Sequence, residues 1–164
     1  MTNLGTSQDL GQVGERLVID WIEDQNLAWT YGKDLLNLGR RLTELPHNDL
    51  LHRVTEIRRR KIREFCGPQH GRILDLVKEY KDATLPEMNQ RGFPDFMVKA
   101  NGLTFIEVKT NTASLLPSQR HFLSLARRHA FECFLARIKL GAHKATLSIE
   151  LFKSSDSEND SKRR

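Results

Sequence analysis

Residues 91–119, RGFPDFMVKANGLTFIEVKTNTASLLPSQ, carry polar side chains where a purely structural hairpin would have little use for them. Two short apolar runs flank Asn101-Gly102, a dipeptide suited to a tight turn, and the pattern predicts a β-hairpin. Strand alternation then sends Phe105, Glu107 and Lys109 to one face, and Thr104, Ile106 and Val108 to the other, where Ile106 and Val108 can be buried under a helix. Asp95 follows Pro94 on the first arm, and the turn can bring it to Glu107 on the second.

Two converging carboxylates suit Mg²⁺ or Mn²⁺, hard cations that prefer oxygen ligands and retain several waters. A cation held there lowers the pKa of its water and offsets charge building on a phosphodiester. Lys109 is placed to orient the attacking water or to stabilise the pentavalent phosphorus, and the backbone carbonyl of Val108 is a further candidate ligand. The plainer alternative is a hairpin in which Asp95 caps a turn and Glu107 and Lys109 form a surface ion pair contributing about 0–1 kcal/mol.

GFPDFMV followed by FIEVKT resembles the PD-(D/E)XK nuclease superfamily, with Pro94-Asp95 as the PD element and Glu107-Val108-Lys109 as the ExK element. More narrowly, G-x-PD, then EVK, then L-x-P-x-Q is similar to the virus-type replication-repair nuclease (VRR-NUC) family, related to archaeal-type Holliday-junction resolvases. The elements here are Gly92 to Asp95, Glu107 to Lys109, and Leu115 to Gln119. The resemblance implies that a first-helix Glu joins the metal site, matched by Glu15 in GxxxE (Gly11 to Glu15), and that Gln119 stands beside it. Leu116 departs from the small polar residue usual before the Pro of the last element. The likeness spans the first helix and residues 91–152, leaving the middle of the chain as an insertion.

Outward from the hairpin, Leu10, Val13, Leu17, Val18, Trp21 and Ile22 recur at helical spacing, predicting an amphipathic helix over residues 10–25 with Ser7 or Asp9 available to cap it. Glu15 falls at the edge of that stripe. Residues 27–31 can be extended. Pro46 divides the middle into two helices, and the second, 48–65, presents Leu50, Leu51, Val54, Ile57, Ile62 and Phe65 inward. Its other face carries Arg53, Arg58, Arg59, Arg60, Lys61 and Arg63. Between Lys33 and Glu64 nine basic residues face five acidic ones, nearly all of the chain's net charge of +5. Such a band is most often a solvated helix face, and its alternative is a phosphate-contacting surface. A helix over 72–81, a loop through KDATLPEMNQRG, a helix from Pro117 to about His129, and strands over 131–140 and 145–152 joined by GAHK complete the pattern. The tail 154–164 has no apolar residue and is expected to be disordered.

A length of 164 residues with 38% hydrophobic and 29% charged residues favours one domain, here 1–153 with a helical insertion over about 33–82. Cys66 and Cys133 match no metal-ligand or disulfide pattern, no stretch reads as a secretory signal, and no apolar run reaches membrane-spanning length. A cytoplasmic protein without a membrane partner is expected. The expected fold is α/β: a restriction-endonuclease-like mixed central sheet of about four strands, flanked by the first and Pro117 helices, with the middle helices as an accessory layer. The expected function is Mg²⁺- or Mn²⁺-dependent hydrolysis of DNA phosphodiesters, structure-specific toward branched, junction or flap DNA in repair or recombination, with a homodimer possible by analogy with junction-cutting relatives. The alternatives are a restriction-type nuclease, or a non-catalytic nucleic-acid-binding or assembly subunit using residues 53–63.

Overall fold

The hairpin forms where the turn dipeptide and the alternating apolar runs place it. β2 (Phe96–Lys99) and β3 (Leu103–Thr110) pair antiparallel with Phe96 opposite Ile106 and Lys99 opposite Leu103. Gly102 takes φ +156°, and its carbonyl accepts from the Ala100 amide at 2.9 Å, closing the turn. The structure is a computed structural model describing residues 7–39, 47–84 and 91–153. Pro46, residues 85–90 of the predicted loop and the tail 154–164 lie outside the described residues.

The architecture is α/β. α1 (Ser7–Asp24) leads to β1 (Ala28–Tyr31), a 3-10 turn (Gly32–Leu35) and the short α2 (Leu36–Gly39). After α3 (Asp49–Cys66) a second 3-10 turn (Gly67–Gln69) opens directly into α4 (His70–Ala83). Past the hairpin, α5 (Pro117–Arg128) crosses over to β4 (Glu132–Leu140), which runs parallel to β3, and β5 (Ala145–Leu151) returns antiparallel to β4. The described sheet is mixed, five-stranded and ordered β1-β2-β3-β4-β5, so β3 is central.

The fifth strand exceeds the predicted four. β1 is only four residues long and none of them is fully buried, which leaves its periodicity weak. Ring contacts hold it, with Trp29 and Tyr31 lying 5.5 and 5.8 Å from the Phe96 ring.

Both faces of β3 are covered, which is why six of its eight residues are buried. On one face α1 sets Val18, Ile19 and Ile22 against Phe96, Val98, Ile106, Val108, Ala136 and Ile138. The sheetward line of α1 is Gly14, Val18 and Ile22, and a Cβ at Gly14 would fall 2.5 Å from Thr110 Cγ2 and 3.3 Å from Ile138 Cδ1. Gly14 therefore lets α1 lie close over the end of β3. The same rotation turns Val13, predicted inward, to solvent at 48% exposure.

On the opposite face α4 and α5 share one core, where the Tyr80 ring lies 5.2 Å from both Phe93 and Phe122, and Phe122 meets Phe105 at 5.3 Å. The middle helices are thus not an accessory layer, because Ile73, Leu76, Val77 and Tyr80 of α4 are wholly buried beneath the sheet. α3 also faces differently from its apolar pattern. Leu50 and Ile57 are exposed, while Thr55, Ile62 and Cys66 are buried on the same stripe as Arg59, whose Nε donates to the Asn37 carbonyl at 2.8 Å. A long Arg stem can cover apolar surface while its head is hydrogen-bonded, so hydrophobicity alone misjudges that face. Both cysteines are buried, and burial pushes the Cys66 and Cys133 thiols up to about 11 and about 12, so neither is a thiolate near neutrality. Among the described residues, no helix is long and apolar enough to cross a membrane.

Candidate active site at the open end of the hairpin

Asp95 immediately precedes β2, and the hairpin register carried one step beyond Phe96–Ile106 sets it opposite Glu107. The main chain is fixed there by the Gly32 amide, which donates to the Asp95 carbonyl at 3.0 Å. The Asp95 side chain then takes over the ladder: Val108 N donates to Asp95 Oδ2 at 2.7 Å. The backbone of β3 thereby aims the Asp95 carboxylate.

Glu107 is 1% exposed, and its Oε1 meets Lys109 Nζ at 2.7 Å. Lys109 Nζ also donates to Gln119 Oε1 at 2.9 Å, and the same oxygen accepts from the Leu116 amide at 2.9 Å. Leu116, the N-cap of α5, has no side-chain acceptor, and Gln119 three residues into the helix reaches back to its amide, supplying one half of a capping box. The departure at Leu116 therefore leaves Gln119 firmly placed, because Gln119 holds the helix start itself.

Asp95, Glu107, Lys109 and Gln119 line one cavity of about 230 Å³ together with Glu15, Gly11 and Val108. Four elements or their flanks thus converge on the predicted site. Gly11, the glycine of GxxxE, would meet nothing within 4 Å if given a Cβ, and Gly14 is the glycine that brings α1 in. The basic band stands apart from this cavity. Arg53, Arg58, Lys61 and Arg63 are exposed on α3, Arg60 lies 4.0 Å from Glu64, and Arg59 is occupied by Asn37 and by Glu56 at 2.8 Å. Arg58 and Lys61 line a separate groove of about 350 Å³ with Asp34 and Phe65. Arg59, of the predicted phosphate-contacting set, is thus held by contacts within the fold.

The electrostatics of the pair are those of a site short of positive charge. Burial, and then the Asp95 charge, push Glu107 up to about 8 despite the Lys109 ammonium. Burial, with Glu15 adding to it, lifts Asp95 to about 6 against the opposing Val108 hydrogen bond and Lys109. Glu107 Oε2 is buried with no hydrogen-bond partner. An orphaned, nine-tenths-buried carboxylate oxygen facing a second carboxylate across a small polar cavity fits a hard cation. Among the described residues no three His, Cys, Asp or Glu side chains gather into a complete cage. One or two carboxylates plus waters are what Mg²⁺ takes, and Glu15 lines the same cavity as the pair.

These shifts make a stability prediction for the metal-free protein. Folding takes up a proton on Glu107 wherever the unfolded side chain is ionised and the folded one is not, from pH 4.5 to about 8. Stability is full below that window and falls as pH rises through it. In EDTA, Glu107→Gln should melt a few °C above wild type at pH 8, and the difference should vanish by pH 4. Melting scans across that range check it; a pH-independent difference contradicts the assignment.

No family model, curated protein or solved structure matches this chain.

Proposed function

We propose that this chain is a divalent-metal-dependent nuclease of the PD-(D/E)XK type, most like the VRR-NUC family, that hydrolyses DNA phosphodiesters in a structure-specific manner. The observation that carries the reading is the hairpin register. It opposes Asp95 to Glu107, leaves Glu107 Oε2 unpartnered, and sets the Lys109 ammonium at the same cavity. A structural ion pair would not be 1% exposed with one carboxylate oxygen orphaned, since that arrangement destabilises the fold without return.

Asp95 and Glu107 would hold Mg²⁺ or Mn²⁺, with the Val108 backbone and Glu15 as further contributors. The cation would supply activation of water and charge neutralisation at phosphorus. The chain's own residues do the rest. Val108 N fixes the rotamer of Asp95. Lys109 is held between Glu107 and Gln119, so its ammonium is already oriented toward the cavity and needs no reorganisation as negative charge develops on the phosphate oxygens. Gln119 is a positioning residue that acts through Lys109.

The test is a cleavage panel of single-stranded, duplex, flap and four-way-junction DNA with Mg²⁺, Mn²⁺ or EDTA. Cleavage of at least one form with metal and of none with EDTA is expected. All forms left intact with both metals would overturn the reading.

A further inference from the structure

A second cavity of about 220 Å³ shares Glu15, Asp95 and Gln119 with the first and continues it on the far side of Asp95. Its outer wall is built from Tyr31, Lys33 and Arg91, none of which belongs to the metal and lysine machinery. Tyr31 is 36% exposed; its ring packs against Trp29 and Phe96, and the Lys33 ammonium lies over it, 4.8 Å from the centroid. Arg91 is exposed, and among the described residues neither Lys33 nor Arg91 has a salt-bridge partner.

Resting on the nuclease reading, we propose that this cavity takes an unpaired nucleotide of the cleaved DNA strand, next to the scissile phosphate. Continuity with the Asp95–Glu107 cavity places it one step along the strand. An aromatic ring beside uncommitted cations is the composition that binds single strands, because every base offers a face to stack and every linkage a phosphate to neutralise. The carboxylates Glu15 and Asp95 form the inner wall and repel a phosphate, so the flanking phosphate belongs at the outer rim with Lys33 and Arg91. The cation–π contact of Lys33 is weak at an exposed site. A base can displace it from the Tyr31 ring and free the ammonium for that phosphate. A space of this size is smaller than a drug-sized pocket and suits a single base stacked on Tyr31 better than a base pair. The substrate must therefore be single-stranded on one side of the cut, as at a flap, an overhang or a frayed branch.

The test is fluorescence anisotropy with the whole protein in EDTA, using a labelled oligothymidylate and a blunt duplex of equal length over a range of salt. Tighter binding of the single strand is expected. Lys33→Ala and Arg91→Ala should each weaken it and flatten the plot of log K against log salt by about 0.7, the loss of one phosphate contact. Tyr31→Leu, which keeps apolar bulk against Trp29 and Phe96, should weaken it about tenfold without changing the slope, and Tyr31→Phe should restore it. Equal binding of duplex and single strand, or three variants that bind as wild type does, overturns the inference. If metal-dependent cleavage occurs while those variants behave as wild type, the cavity assignment fails and the nuclease reading stands. If the binding pattern appears without cleavage by any metal, the nuclease reading fails and the cavity stands only as a single-strand-binding site.

Discussion

Asp95→Asn should cleave DNA on the order of 10³-fold more slowly than wild type at saturating Mg²⁺ while melting no lower. The substitution keeps an oxygen to accept from Val108 N, so the hydrogen bond that joins Asp95 to β3 survives. It removes the buried Asp95 charge, which costs the metal-free fold desolvation and opposes ionisation of Glu107, and it deprives a cation of half its anionic ligation. Activity and stability should thus move in opposite directions, as when a site is kept for chemistry at the expense of the fold. Asp95→Ala is the poorer test. It leaves the Val108 amide without its acceptor, at about 1–3 kcal/mol if the group stays buried, and blends a structural loss into the catalytic one. Lys109→Gln should cost cleavage about 10²–10³-fold with metal binding retained, because the proposed role of its ammonium is on the phosphate and not on the cation. Steady-state rates read beside melting curves check both variants. A stable Asp95→Asn protein that still cuts would remove Asp95 from the chemistry.

Gly32→Ala should be strongly destabilising, at about 3 kcal/mol, or a fall in melting temperature of roughly 6–12 °C for a chain of this size. A Cβ at Gly32 would stand 1.9 Å from the Pro94 carbonyl oxygen and 2.8 Å from its carbon. These are backbone atoms, so no side chain can rotate away. Relief requires the segment after β1 to move off Pro94, which breaks the Gly32 N to Asp95 O bond and displaces Asp95 itself. Cleavage should therefore fall even in the fraction that remains folded. Gly11→Ala is the control, since its Cβ meets nothing and a helix-interior Gly gains by becoming Ala; it should hold or raise stability by up to about 1 kcal/mol. Urea denaturation of the two variants checks the contrast, and equal stability of both would contradict it.

The site was more legible than the frame that carries it. Alternation placed Glu107 and Lys109 on one strand face, and Asn101-Gly102 fixed the turn that opposes Asp95 to Glu107, because register in a short hairpin is set locally. The helices were legible where apolar residues alone face the core, as in α4 and α5. They were misread where a polar or small residue occupies the buried stripe. Arg59 and Thr55 in α3, and Gly14 in α1, turn their helices by contacts that depend on Asn37, Thr110 and Ile138, far away in sequence. The role of the middle segment was hidden for a related reason. A Cβ on Gly92 of the G-x-PD element would stand 1.7 Å from Tyr80 Oη, so the segment outside the family resemblance packs directly under the candidate site. Tyr31, Lys33 and Arg91 gave no signal, since nothing in their spacing joins the end of β1 to the approach to Asp95.

Mn²⁺ binding to the purified chain, followed by electron paramagnetic resonance, tests most directly whether Asp95 and Glu107 form a cation site. Wild type should remove a single Mn²⁺ per chain from the free-ion signal, with Mg²⁺ competing, and Asp95→Asn and Glu107→Gln should each abolish that uptake while remaining folded. Uptake unchanged in both variants, or none by wild type at millimolar Mn²⁺, would contradict the account.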